Sequence, residues 1–545
     1  MKRTRHSKSA RRPIFRAPER RLPQPAADAT GQQILPLDPW QLNKPAPLVF
    51  TAPVWRSLES TIGAASAETG GPLGGTRGSG VIEEFYPDET SDRTAVTYYP
   101  DFQAVNTLLR DTWNPAGVNL LGFAHSHPRG SLRPSRPDLE YSARIMQGIP
   151  ELDQFALPIL QTVPDTGRFS VCGYASVRKS GGTELVDLDV HVLPDVPCQF
   201  APNLAFQRVN GAYDLHAMAR ARIVAVGCGG SAAFLEDMAR AGTGEFVLVD
   251  DDIVEMPNLA TQQTYLSAIG SPKVEAIAKR LADINPDVRV WTVQANLEAL
   301  SDAAVRRLAV GWLPGSIYPC PAASVLCAFT DSFDAQARVH RLGLHLGVPV
   351  VGGIVYAEGR GVEVTFAASG ATRACIRCAQ SSRYAAYLDH GYKNDVGSAG
   401  APIWATSRLN ALKLPIVLGL LHTQSRVADA EHPATRRYRR LLSSFQDRNL
   451  VLASLDPDIH ETLGLRQFAV GQSEGEDVVS GSDPETVLWR TPTPDDGEDG
   501  GDRCPDCGGT GDLSNSMGRF TSTVPMPRSF GEHRYSEPVK KHVNT

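Results

Sequence analysis

The stretch that decides the fold is IVAVGCGGSAAFLEDMARAG, residues 223–242. It begins as an apolar run, passes through a turn of glycines and continues as a helical segment. A second apolar run, EFVLVDDD, follows at residues 245–252. A strand, a glycine turn, a helix and a further strand are the pattern of a parallel sheet with crossover helices. The sequence therefore predicts a Rossmann-like, doubly wound α/β domain here.

The glycine turn also suggests a ligand. Gly227, Gly229 and Ala232 fit G-x-G-x-x-G/A between a strand and a helix, where a nucleotide phosphate can lie on the helix N-terminus. The next strand ends in three acids, Asp250 to Asp252, near the distance at which an acid binds a ribose hydroxyl. Taken alone, this pattern also permits an NAD-binding domain.

Downstream motifs narrow the choice. VEMPNL (254–259), SPK (271–273) and FTDS (329–332), together with the glycine turn, resemble the adenylating domain of ubiquitin-activating enzymes and their ThiF-type relatives. An NAD-binding domain does not explain this set. The resemblance implies ATP and Mg²⁺ as cofactors, and a homodimer formed through this domain. The positions it implies for ATP are Gly227, Gly229, Gly230, Asp250 (ribose), Asp252, Asn258 and Lys273 (phosphates), and Asp331 (Mg²⁺).

The match to that family has gaps. The family's Arg-Gln pair appears as Thr261-Gln262, or as Gln262-Gln263 if the loop is longer by one residue. A phosphate-contacting arginine is therefore missing. Arg208, upstream of the first strand, is our candidate substitute, acting across a dimer.

Two C-x-x-C pairs, CIRC at 375–378 and CPDC at 504–507, predict a tetrahedral structural zinc site made by Cys375, Cys378, Cys504 and Cys507. Ubiquitin-activating enzymes usually carry a further cysteine that receives the activated carboxyl as a thioester. The interval 379–404, where it often lies, has none, and Cys320 is the loop candidate near the sheet. The simpler interpretation is direct transfer to the thiol of a ubiquitin-conjugating-enzyme-like protein.

A second constellation lies upstream, in LLGFAHSH at residues 120–127. If this segment is a strand, His125 and His127 point to one face, and Asp138 returns at the start of the next helix. Two nitrogens and one oxygen leave a fourth position for water, as in a catalytic zinc site, where the pKa of that water falls toward about 7. Glu68 is the candidate general base, and Ser135 the candidate donor to the oxyanion.

These five residues match the JAMM motif of JAB/MPN metalloproteases in type, order and spacing. The resemblance implies a mixed-sheet, cytidine-deaminase-like fold. It also implies a zinc peptidase or isopeptidase acting at the C-terminal glycine of ubiquitin-like proteins. The alternative is that the two histidines only form hydrogen bonds within a loop.

Composition sets the wider limits. The chain has 545 residues, 42% of them hydrophobic and 21% charged, with a net charge of −6, which does not indicate a nucleic-acid partner. We see neither a secretory signal nor a membrane-spanning run, and expect a cytoplasmic protein. The predicted division is a disordered basic tail (1–48), a JAB/MPN domain (49–198), an adenylating domain (199–515, with an irregular insertion at 424–500) and a C-terminal tail (516–545).

The sequence thus predicts a bifunctional enzyme of a bacterial ubiquitin-like conjugation system. One half cleaves after the terminal glycine of a ubiquitin-like protein, and the other adenylates the exposed carboxylate. One alternative is the processing and activation of a sulfur carrier for thiocarboxylate chemistry. Another is a scaffold that binds a ubiquitin-like protein through a degraded adenylation site.

Overall fold

The computed structural model describes residues 24–25, 33–63, 65–94, 97–128, 131–150, 152–163, 168–195, 203–391, 400–456, 487–497, 503–511 and 524–526. These residues form two α/β units that follow one another along the chain. Within them, no helix has both the length and the apolar character needed to cross a bilayer.

The first unit contains four-, seven- and two-stranded sheets, and β2 from this part of the chain joins the sheet of the second unit. Its elements are β1 (Gln24–Pro25), β2 (Ile34–Pro36), α1 (Pro39–Leu42), β3 (Leu48–Thr51), α2 (Ala52–Ser60), β4 (Gly70–Thr76), β5 (Val81–Ile82), β6 (Glu84–Phe85), β7 (Asp92–Thr94), β8 (Thr97–Tyr99), α3 (Phe102–Leu108), β9 (Val118–Ser126), α4 (Arg136–Gly148), β10 (Gln154–Ala156), β11 (Ile159–Val163), β12 (Arg168–Lys179), β13 (Gly182–Leu188) and β14 (Val190–Leu193).

Strand β9 is the centre of the first unit. It pairs antiparallel with β4 and parallel with β11. Its apolar side chains divide between two cores because side chains alternate along a strand. Phe123 joins the cluster that contains Ile145 and Met146 of α4, whereas Ala124 joins the cluster under α2. His125 has the same parity as Phe123, so the strand directs it toward α4.

The second unit is built on one large sheet. Its elements are α5 (Leu215–Ala219), β15 (Ala221–Val226), α6 (Ala232–Arg240), β16 (Glu245–Val249), α7 (Asn258–Thr261), α8 (Lys273–Ile284), β17 (Arg289–Val293), α9 (Asp302–Val310), β18 (Ala323–Ala328), α10 (Phe333–Leu346), β19 (Val350–Val355), β20 (Gly361–Ala367), α11 (Ile376–Ala379), α12 (Ser381–His390), α13 (Ile403–Gln424), α14 (Pro433–Phe445), β21 (Leu450–Ser454) and β22 (Val487–Arg490).

The nine strands run in the order β2-β17-β16-β15-β18-β19-β20-β21-β22. Strands β2 through β19 pair in parallel, and helices cover both faces: α6, α8 and α13 on one, α9 and α10 on the other. The apolar segment GVEVTF (361–366) lies in β20, which is antiparallel to β19 and so ends the parallel series. The connection at 356–360 is too short for the crossover that a parallel pairing needs.

Two expected boundaries differ from the structure. The predicted tail ends earlier than residue 48, because Ile34 pairs with Val290 and Leu35 packs on the core of the second unit. The predicted irregular insertion contains α14, β21 and β22, whose apolar residues complete the sheet and its cover. Residues 1–23 of the predicted basic tail lie outside the described residues, as does most of 516–545.

The two units contact each other directly. Arg306 of α9 donates to Asp153 at 2.6 Å, and Arg426 donates to Thr76 of β4 at 2.9 Å.

Candidate functional site

His125, His127 and Asp138 converge in the first unit. Nε2 of His125 lies 3.0 Å from Nε2 of His127 and 3.4 Å from Oδ2 of Asp138. Zinc bonds to nitrogen and oxygen are about 2.0–2.1 Å long, so ligand atoms at tetrahedral corners lie about 3.3–3.4 Å apart. The three donor atoms, all within 4.8 Å of one another, can therefore hold one zinc ion and leave one corner open.

The surroundings favour the ligating protonation states, a neutral imidazole and an ionised carboxylate. Burial and the charge of His125 lower the pKa of His127, and its Nδ1 lies 2.5 Å from the carbonyl oxygen of Ser131. Burial raises the pKa of Asp138, but the charge of His125 and hydrogen bonds from His125 and Ser135 outweigh it, and the pKa falls to about 2.

Ser135 and Glu68 complete the group that the sequence predicts. Ser135 is the N-cap of α4, and both its backbone N–H and its hydroxyl donate to Asp138 at 2.6 Å. That hydroxyl therefore orients a ligand here, rather than standing free for an oxyanion. Glu68 is 9% exposed and lies just before Gly70, which pairs with His125. Burial raises the pKa of Glu68, the charge of His125 lowers it, and the charge of Asp138 raises it.

The glycine turn of the second unit leaves little space for a side chain at Gly227. Gly227 has φ of +82°, and a Cβ there would lie 2.4 Å from the backbone nitrogen of Thr330. The turn is also held from two sides: Cys228 donates its N–H to Asp250 at 2.7 Å, and Asn410 of α13 donates to the Gly230 carbonyl at 2.9 Å. Only glycine fits position 227 without moving the neighbouring strand end.

The predicted ATP residues collect at the carboxyl edge of the sheet, where ligands of open α/β sheets bind. Asp250 follows β16, and Asp331 follows β18, on either side of the turn after β15. Lys273 begins α8 and pairs with Asp252 at 2.7 Å, and Asn258 begins α7 and accepts from the Glu255 N–H at 2.8 Å. Asp250 itself also accepts the Asp252 N–H, at 3.0 Å.

One cationic residue near this edge was not predicted from the sequence. Lys413 of α13 is fully buried; its Nζ lies 3.1 Å from the Ser231 hydroxyl and 3.7 Å from the ring centroid of Phe329. Burial lowers its pKa to about 7. In the sequence, a lysine within the long apolar helix α13 could have indicated a buried functional cation. Arg208, our proposed substitute cation, is exposed on the 3-10 helix Leu204–Val209.

The four cysteines of the C-x-x-C pairs meet as predicted. Three of the Sγ–Sγ distances are 3.6 Å (375–378), 3.8 Å (375–504) and 3.7 Å (378–507), and all four residues are buried. Zinc bonds to sulfur are about 2.3 Å long, which places tetrahedral sulfurs about 3.8 Å apart. Backbone N–H groups of Asp495 and Gly511 donate to Cys378 and Cys507. The set fits a closed zinc site.

Cys320 does not lie as its expected role requires. The residue is 5% exposed, Arg426 donates to its sulfur at 2.9 Å, and burial raises its pKa. A thioester-forming cysteine needs an accessible thiolate. The burial of Cys320 therefore argues against that role.

Comparisons with known proteins agree with this division. The profile of the prokaryotic homologs of the JAB domain matches residues 58–171, and that of the ThiF family matches residues 200–403.

Three curated relatives illustrate the second match. The SAMP-activating enzyme E1 of Haloferax volcanii is 31% identical over 29% of this chain and 52% of its own length. The molybdopterin-synthase adenylyltransferase of Salmonella typhimurium is 30% identical over 30% of this chain and 59% of its own length. The sulfur carrier protein ThiS adenylyltransferase of Escherichia coli is 28% identical over 26% of this chain and 50% of its own length. The chain spans about half the length of these relatives. It contains a domain of the prokaryotic JAB homologues followed by a domain of the ThiF family.

Proposed function

We propose that the JAB-homologue domain is a zinc-dependent peptidase or isopeptidase. Its substrate is a ubiquitin-like protein, cleaved after the C-terminal glycine. The observation that carries the proposal is the spacing of the His125, His127 and Asp138 donor atoms, which matches three corners of a zinc tetrahedron, with Glu68 buried beside them.

In this proposal each residue has a separate task. His125, His127 and Asp138 hold the ion, which when bound lowers the pKa of water toward about 7 and polarises the scissile carbonyl. Glu68 accepts a proton from the attacking water and passes it to the leaving amine. Ser135 keeps the Asp138 carboxylate in its ligating orientation through two hydrogen bonds.

We further propose that the ThiF-family domain adenylates the exposed C-terminal carboxylate. The carboxylate and the triphosphate are both anionic, so the attack on the α-phosphorus needs nearby positive charge. Lys273 is the proposed phosphate contact, Asp331 the proposed Mg²⁺ ligand, and Asp250 the proposed ribose contact. The match to ThiF and the names of the relatives, which include activating enzymes and adenylyltransferases, support this assignment.

The two proposed reactions follow one another on one substrate. Cleavage exposes the terminal carboxylate that adenylation consumes, and the contact between the domains keeps the local concentration of that product high. Since Cys320 is buried, we propose that the adenylated carboxyl passes to the thiol of another protein, of the ubiquitin-conjugating-enzyme type. A homodimer through the ThiF-family domain is also a proposal.

One preparation tests both activities. Purified chain is incubated with ubiquitin-like proteins that carry residues beyond the terminal glycine, and cleavage is followed by intact mass. We expect cleavage that stops on chelation and returns with Zn²⁺. ATP–pyrophosphate exchange, stimulated by the trimmed protein and lost in Lys273→Ala, is expected for the second domain. The proposal would be overturned if the chain showed no cleavage and no exchange with any ubiquitin-like protein encoded beside it.

Sulfur-carrier activation is the second candidate. Two observations favour it: two of the relatives are named for molybdopterin synthase and for the sulfur carrier ThiS, and the Cys320 thiol is buried. The trimmed substrate distinguishes the candidates. Formation of a C-terminal thiocarboxylate with a sulfur donor, rather than transfer to a conjugating-enzyme thiol, would support this reading.

A further inference from the structure

Residues 524–526, Val-Pro-Met, lie on the JAB-homologue domain, far from it in sequence. The side chain of Asn106 donates to the Val524 carbonyl at 2.9 Å and accepts the Val524 N–H at 2.8 Å. The Tyr141 hydroxyl donates to the Pro525 carbonyl at 2.9 Å. Three hydrogen bonds therefore hold the backbone of this short segment.

The side chain of Val524 adds a specific apolar contact. It is 4% exposed and belongs to the cluster that contains Val105, Leu109 and Phe123, whereas Met526 is 63% exposed. Backbone hydrogen bonds combined with a pocket for one side chain are how proteins bind extended peptides. The cleft between α3 and α4 thus has both elements of a peptide-binding site.

This cleft lies close to the metal triad. Tyr141 follows Asp138 on α4 by three residues, slightly less than one helical turn. Tyr98 packs against the same apolar cluster and stacks on His125, with ring centroids 6.1 Å apart. The docked segment and the triad are therefore linked through α4 and through the apolar cluster on which Tyr98 packs.

We propose that the cleft between α3 and α4 binds an extended peptide with a branched apolar residue followed by proline. Residues 524–526 are its ligand in cis, and they compete there with an incoming substrate chain. The effect on cleavage rests on the proposed protease function; the binding itself does not. For a segment of the same chain at an effective concentration of about 1 mM, an intrinsic Kd of about 100 μM would keep the cleft about nine-tenths occupied.

A binding experiment tests the proposal without requiring enzymatic activity. A fluorescent peptide of sequence TSTVPMP, residues 521–527, is titrated into the full chain and followed by anisotropy. Val524→Asp releases the cis segment, and we expect the peptide to bind this variant about tenfold more tightly than it binds the wild-type chain. Adding Asn106→Leu should abolish binding. Met526→Asp is the matched control, because Met526 is exposed, and it should behave as wild type. Equal binding to the wild-type and Val524→Asp chains, or none to either, would overturn the proposal.

Cleavage rates of the same variants provide a second test. We expect Val524→Asp to cleave a tail-extended substrate up to about tenfold faster than wild type, and Met526→Asp to match wild type. Val524→Ala should also raise the rate, because it removes the apolar contact of the cis segment and leaves the cleft intact, which guards against a folding defect in Val524→Asp. Unchanged rates in both would contradict competition in cis. If zinc-loaded wild type and every variant were inactive, the protease proposal would fail, and the anisotropy comparison alone would then decide the inference.

Discussion

The two candidate zinc sites differ in the number and type of donors. In the ThiF-family domain, four buried cysteine sulfurs fill a tetrahedron, and backbone N–H groups bond to two of them. In the JAB-homologue domain, two imidazoles and one carboxylate can fill three corners, which leaves the fourth without a protein donor in that group. A closed site can only stabilise the fold, whereas an open one can present a reactant. The donor set alone therefore separates the two roles before any ion is considered.

The largest expected effect tests the open site. We expect Glu68→Gln to lower cleavage by about 10²–10⁴-fold, because a positioned proton acceptor contributes that much, while the zinc content stays unchanged. Steady-state cleavage and elemental analysis measure the two quantities. Glu59→Gln, on the exposed face of α2, is the matched control. A Glu68→Gln variant that cleaves at the wild-type rate would remove the distinction between the two sites.

Opening the closed site should affect stability instead. We expect Cys504→Ser to lose one of two zinc ions and to lower the free energy of unfolding by about 3 kcal/mol or more, since metal binding free energy contributes to folding. Calorimetry and zinc analysis check this. Cys172→Ser, outside the cluster, serves as the control. Two zinc ions per chain in Cys504→Ser would show that these sulfurs do not hold one.

A smaller effect is expected at the nucleotide edge, which uses neither metal site. Lys413→Met removes the hydrogen bond to Ser231 and one support of the glycine turn. We expect about a tenfold fall in kcat/KM for ATP–pyrophosphate exchange, equivalent to about 1.4 kcal/mol. Lys279→Met, on the exposed face of α8, is the control. Equal exchange by the two variants would mean that the turn does not depend on α13.

The last expected effect is a change of stability with pH, which is gradual and not a loss of function. Burial lowers the folded pKa of Lys413 to about 7 from the ordinary value of 10.5, so between these values the unfolded chain binds more protons. This group therefore makes stability rise with pH across that window, by at most about 1.4 kcal/mol per pH unit. In denaturant titrations from pH 7 to 10, we expect wild type to gain stability relative to Lys413→Met. A constant difference would place Lys413 in a less buried setting.

Local patterns were readable because backbone geometry alone imposes them. The period of two in β9 predicts that His125 and His127 share a face, and C-x-x-C predicts sulfurs within reach of one ion. The positive φ at Gly227 follows from a turn that must reverse next to a neighbouring strand end. These patterns were enough to select both families, and the matching profiles confirm them.

What the chain brings together over long separations was decided by the tertiary structure. Lys413 meets Ser231 across 182 positions, and Asn106 meets Val524 across 418. No local pattern encodes such pairs, because they arise when whole helices and sheets pack. The same packing buries Cys320, orders residues 33–48 and turns β20 antiparallel. Sequence alone determined which side chains the chemistry needs; packing decided which neighbours and how much solvent each of them has.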